Sequence, residues 1–192
     1  MNRSLFRRDA LPLLLLFLAL VAATTATDAL LHRLELVWIG RYLGIPGTLL
    51  ILLSMRYSLR KHGLIAQGEP RRLLRQHEAL AWLGSLLVLV HAGIHFRAIL
   101  PWLATAAMLV NILSGLTGKF LLPRARRHVE ERRGRMAARG LSGDQMDAKL
   151  YWDALMLDAM ANWRTVHVPI ALAFAGLALA HVLSIFLYWS WR

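Results

Sequence analysis

The residues of this chain best able to do chemistry are histidines, and their spacing is regular. His77 and His91 stand 14 residues apart, and His167 and His181 repeat that interval. Fourteen residues is close to four helical turns, so the members of each pair project from nearly the same face, about 21 Å apart along the axis. All four lie in or at the entry of long apolar stretches, where an ionisable side chain is costly and points to function. His95 follows His91 by four residues, on a neighbouring patch of the same face, and could take its place as a ligand. The other three, His32, His62 and His128, fall in polar segments and need no explanation beyond solvent exposure.

The elements that must position these imidazoles are membrane helices. Of the 192 residues 57% are apolar and only 18% charged, with a mean hydropathy of +0.47. The net charge is +12, but a soluble nucleic-acid binder would not also carry charge-free apolar runs this long. There is no cysteine, which excludes disulfides, iron–sulfur clusters, thiolate zinc sites and covalently attached haem. Five segments are free or nearly free of charge, and a bilayer core of ~30 Å needs about 20 such residues in a helix. The expected fold is all-α: a single membrane domain over 1–192, with spans at about 10–31, 36–58, 77–97, 99–121 and 165–190. The first run also has the makings of a signal peptide, with a basic Met1–Arg8 and small residues at Ala22–Ala26. Its 18 uncharged residues favour a retained helix.

Charge placement sets the expected topology. Met1–Asp9, Arg56–Glu78 and Lys119–Arg164 together hold 19 of the 23 Lys and Arg, which puts them and the N-terminus in the cytoplasm and the C-terminus outside a bacterial-type inner membrane. Gly63, Gly68 and Pro70 mark the first of the inner connections as turn-rich. The loop over 123–164 reads as two helices broken at Gly140–Gly143. The second of these is either an amphipathic surface helix or a docking face for a soluble partner.

With one span between them, the third and fifth spans run parallel. His77 then comes level with His167 near the cytoplasmic side, and His91 with His181 nearer the outside. Such a two-rung ladder suits two six-coordinate b-type haems, His77/His167 and His91/His181, each with an imidazole on either face of the ring. Gly84, Gly93 and Gly176, with Ala81, Ala173 and Ala180, would leave room for a porphyrin, or else serve close helix packing. Two other readings compete: histidines as interhelical polar glue, and a zinc site or proton path. A zinc ion gathers its ligands at about 2 Å around one point, which a long ladder does not. Arg75, Gln76 and Arg164, with Arg71 and Arg72, are candidate propionate donors on the inner side; Arg97, Arg41 and Arg33 are the outer ones. His95 would lie near the outer propionates or an electron acceptor. The same arginines also serve as topology charges, and Trp102, Trp189 and Trp191 suit an interfacial belt.

Taken together, the two His-x13-His pairs resemble the ferric-reductase-like transmembrane cytochromes, the group of NADPH oxidases and yeast ferric reductases. Arg75-Gln76-His77-Glu78 and Trp163-Arg164-Thr165-Val166-His167-Val168-Pro169 look typical of its bacterial branch. The likeness covers roughly residues 36–191. It implies two stacked haems passing electrons singly across the membrane. Eukaryotic members continue into a flavin- and nicotinamide-binding domain, whereas this chain stops at Arg192 and has no GxGxxG fingerprint. The resulting expectation is a dihaem cytochrome b subunit of a larger oxidoreductase complex. Whether it is itself an enzyme is left open, no catalytic residue being identified, and it would draw on separate redox subunits, lipid and, in one version, quinone. The alternatives are a quinol-oxidising anchor of a dehydrogenase and a haem-free recruitment subunit.

Overall fold

The computed structural model describes residues 11–94 and 99–188, with no description of the side chains at 94, 159, 160, 163 and 164. His95 and Arg97 lie outside the described residues, and only the backbone of Arg164 is described. The helices in chain order are α1 (Leu11–Arg33), α2 (Val37–Tyr42), α3 (Gly44–Ser54), α4 (Arg56–Lys61), α5 (Pro70–Ile94), α6 (Ile99–Leu116), α7 (Leu122–Ala137) and α8 (Gly143–Tyr188). A π-helical stretch, Thr117–Leu121, joins α6 to α7. Among the described residues, five segments are helical, long and apolar enough to cross a membrane.

Local chemistry explains the joints. At the end of α1 the Leu36 amide donates to the Leu31 carbonyl and the Glu35 amide to His32, with Glu35 at φ 57°. This is the six-to-one closure that ends many helices on a left-handed residue. The same closure recurs after α7, where Leu141 donates to Met136 and Gly140 takes φ 75° without the penalty a Cβ brings. The next helix starts on a reciprocal cap: the Ser142 hydroxyl accepts from the Gln145 amide, and the Gln145 side chain accepts from the Ser142 amide. The expected break at Gly140–Gly143 is thus a tight turn of a helical hairpin. Ion pairs Arg132–Asp153 and Arg133–Asp147 tie its two arms together.

Two elements differ from the sequence reading. The expected second loop helix and fifth span are one helix, α8, of 46 residues and about 69 Å. Nothing between Gly143 and Pro169 stops it, since no Gly or Pro intervenes. Pro169 itself removes only the bond to the Thr165 carbonyl. The second span runs as right-handed helical backbone from Val37 to Lys61, but its hydrogen-bond ladder is interrupted at Leu43 and Met55, which divide it into α2, α3 and α4. Pro46 has no amide to give the Tyr42 carbonyl, which accounts for the first interruption. At the second, the Ser54 hydroxyl donates to the Ile51 carbonyl at 2.6 Å, a back-bond of the kind that bends helices.

Packing divides the bundle into two pairs. α3 lies closely along α5, and α6 closely along α8; contacts between these pairs are sparse, with α1 leaning chiefly on α5. At the first seam Gly47 and Gly84 meet back to back, so that a Cβ on Gly84 would stand 2.8 Å from the Gly47 carbonyl oxygen. Gly84 therefore serves close helix packing and not cofactor space. The small buried core is Leu20, Leu89 and Met108, with Ile51, Leu86, Val88 and Phe174 around it. Leucines such as Leu18, Leu49, Leu172 and Leu179 face outward, over half exposed. An apolar exterior of this extent is what a lipid environment tolerates and water does not.

Candidate functional site

The site is assembled from the seam between the two helix pairs. α5 carries His77 and His91, and α8 carries His167 and His181. These two helices do not pack directly against each other among the described residues. Yet the rings of His91 and His181 approach to 6.4 Å between centroids, inclined by 53°. Among the described residues His77 and His167 make no comparable ring contact; their rings meet Tyr57 and the Ser114 hydroxyl instead. All four side chains are half-buried.

Each pair has a supporting helix. The His77 Nδ1 lies 3.0 Å from the Ser54 carbonyl oxygen, and the His91 Nδ1 lies 3.4 Å from that of Gly40, both on the second span. A carbonyl can only accept, so in each case Nδ1 carries the proton and the lone pair of the neutral ring is on Nε2. On the other pair, His167 Nδ1 meets the Ser114 hydroxyl at 3.0 Å, on α6. Ser54 and Ser114 are both buried. An interhelical hydrogen bond in a membrane contributes on average about 0.6 kcal/mol, too little to hold helices together by itself. The value of these bonds is in orienting rings. Orientation of a ligating histidine by a partner at its other nitrogen is the usual arrangement around metals.

The fit of an iron porphyrin can be tested on these distances. Two imidazoles bound through nitrogen at about 2 Å on either side of one metal, each with its centroid about 1 Å beyond the nitrogen, stand roughly 6 Å apart. The His91–His181 separation of 6.4 Å meets that requirement. A flat macrocycle also needs helices held apart, as α5 and α8 are. A Cβ on Gly176 would meet nothing within 4 Å, and one on Gly93 only the Asp28 carboxyl, at 3.8 Å. At 100° per residue, however, Gly93 lies about 160° round α5 from His91 and Gly176 about 140° round α8 from His181, so neither borders the face that carries the histidines.

The remaining expected site residues are scattered. Arg75, Gln76 and Arg41 are exposed at the surface. Glu78, next to His77, is instead engaged by Lys119 at 2.5 Å, which joins the third span to the π-helical stretch. Tyr57, which sequence reasoning passed over, sets its ring 5.7 Å from that of His77. Gly44 was also missed: a Cβ there would lie 2.8 Å from the His91 ring. The signal for Gly44 was present in the glycine- and proline-rich run Gly44-Ile45-Pro46-Gly47. Comparison with known proteins gives no match: no family model, no curated protein and no solved structure resembles the chain closely enough to assign it.

Proposed function

We propose that this chain is a dihaem transmembrane cytochrome b, a membrane subunit that passes electrons across the bilayer within a larger oxidoreductase complex. The observation that carries the reading is the His91–His181 pair, 6.4 Å apart on helices whose backbones make few or no close approaches. His91 and His181 would hold the outer group, and His77 and His167 the inner one. When bound, each group supplies one-electron ferric/ferrous chemistry. The protein's own part is to hold each ring with Nε2 toward the iron, to keep two sites at two depths, and to exclude water with apolar helices. The orientation follows the arginines: Arg71, Arg72 and Arg75, with the hairpin of α7 and α8, on the cytoplasmic side, and the α1–α2 turn outside. Redox partners on either side would be separate proteins, with Arg75, Gln76 and Arg164 on the inner approach and Arg41, Arg97 and His95 on the outer.

A reduced-minus-oxidised optical spectrum of the purified chain tests the proposal. A b-type band shift on dithionite reduction, with two haems per chain by pyridine haemochrome, is expected. A colourless protein refutes it and leaves a recruitment subunit. Reduction of the isolated chain by a quinol would favour the anchor of a quinol dehydrogenase.

A further inference from the structure

The second span bears no histidine that faces the seam, yet it touches both histidines of the third. The two carbonyls involved, Gly40 and Ser54, are 14 residues apart, the same interval that separates His77 from His91. Neighbouring spans run antiparallel, so equal intervals bring Gly40 to His91 and Ser54 to His77. Equal spacing alone would not suffice, because a carbonyl inside an unbroken helix already accepts the amide four residues on. Here the regular ladder is interrupted after Tyr42 and again after Ser54. Gly40 lies in the last turn of α2, and Ser54 is the last residue of α3. Carbonyls in a last helical turn lack an intrahelical amide partner. The Gly40 carbonyl still accepts the Leu43 amide, three residues on at 3.3 Å, but keeps a second lone pair to offer, so each interruption loosens an acceptor at the depth where an imidazole needs one.

We propose that the second span is a positioning rail for the third: its two interruptions present the Gly40 and Ser54 carbonyls so that His91 and His77 are both fixed with the proton on Nδ1 and the lone pair on Nε2. Gly44 belongs to the device, since only a residue without a Cβ lets the His91 ring lie against the start of α3. The rail deepens the dihaem reading, on which its purpose rests, by naming what orients two of the four ligands. Its geometry does not depend on iron.

The test uses the full chain labelled with 15N-histidine in detergent micelles, reduced with dithionite and read by two-bond proton–nitrogen correlation. His77 and His91 are expected each to carry the proton on Nδ1, in slow exchange with water. Gly44→Ala, whose methyl would stand 2.8 Å from the His91 ring, should speed exchange at His91 about tenfold or more, as the loss of one buried hydrogen bond does, and leave His77 unchanged. Gly47→Ala strains the same helix pair against Val88 and the Gly84 carbonyl without touching a histidine, and should leave both protons slow. A proton on Nε2 in either ring overturns the rail. So does a Gly44 variant that affects both rings alike, or a Gly47 variant that reproduces its effect. The unsubstituted chain decides the tautomer by itself, so a variant that fails to fold does not remove the test. Colour is read on the same sample. A colourless protein with two slow Nδ1 protons refutes the haems and keeps the rail, whereas a red protein with fast-exchanging Nδ1 protons does the reverse.

Discussion

The imidazoles of His91 and His181 face each other at 6.4 Å across two helices that have almost no other contact. A direct hydrogen bond between two such rings would bring their centroids to about 5 Å. At 6.4 Å the two rings do not hydrogen-bond each other directly. An iron held between them, as proposed above, would fit that separation.

His91→Ala and His181→Ala are each expected to remove one haem while leaving the other in place. Haem per chain by pyridine haemochrome should fall by about half in either variant, and by no more in the double variant, since the proposal has both residues serve one iron. Full haem content in both single variants would overturn the assignment.

Ser114→Ala should act on the other rung. The hydroxyl is buried and is bonded to His167 Nδ1, so its removal frees the ring to turn. Loss of such an outer partner weakens metal binding by roughly 10–100-fold. Haem titration should show one weakened site of two, and potentiometry a shift in one wave only.

Gly84→Ala and Gly176→Ala separate two uses of a small residue. The first drives a methyl to 2.8 Å from the Gly47 carbonyl and should cost on the order of 1–3 kcal/mol. The second meets nothing within 4 Å, and in a helix alanine is favoured over glycine by up to about 1 kcal/mol. Thermal unfolding in detergent, monitored by circular dichroism, should place the two on opposite sides of the unsubstituted chain.

Breaking the hairpin should be cheap. Arg132–Asp153 is partly exposed, and pairs of this kind contribute about 0.2–1 kcal/mol. Asp153→Ala should leave the thermal midpoint nearly unchanged. It should nonetheless speed limited proteolysis near Gly140, since local opening of the arms exposes that turn. An unchanged cleavage rate would show that the apolar contacts of Leu122 and Leu150, both buried, hold the arms unaided.

The sequence made some of this architecture legible. Five helices follow from hydropathy and length, and the seam follows from a 14-residue repeat that maps onto helix geometry without any tertiary knowledge. The supporting groups were hidden for a physical reason. Gly40 and Ser54 act through backbone carbonyls, which every residue has, so residue type carries no mark of the role. Pro46 did mark the first interruption, but hydropathy averages across it and reports one span. Gly84 and Gly176 look alike in sequence and differ only in what lies opposite. The joining of the hairpin arm to the fifth span was missed because polarity changes at Asn162–Thr165, whereas helix continuity responds to glycine and proline.

The length of α8 has a mechanical consequence. Trp152, 73% exposed on the hairpin arm, belongs to the same unbroken rod as His167 and His181. A torque applied at that tip cannot be absorbed in a loop, because there is none; it must turn both imidazoles together or flex the rod at Pro169. Movement of the arm is thereby coupled to two histidines far down the same helix, in the manner of a long-shafted key.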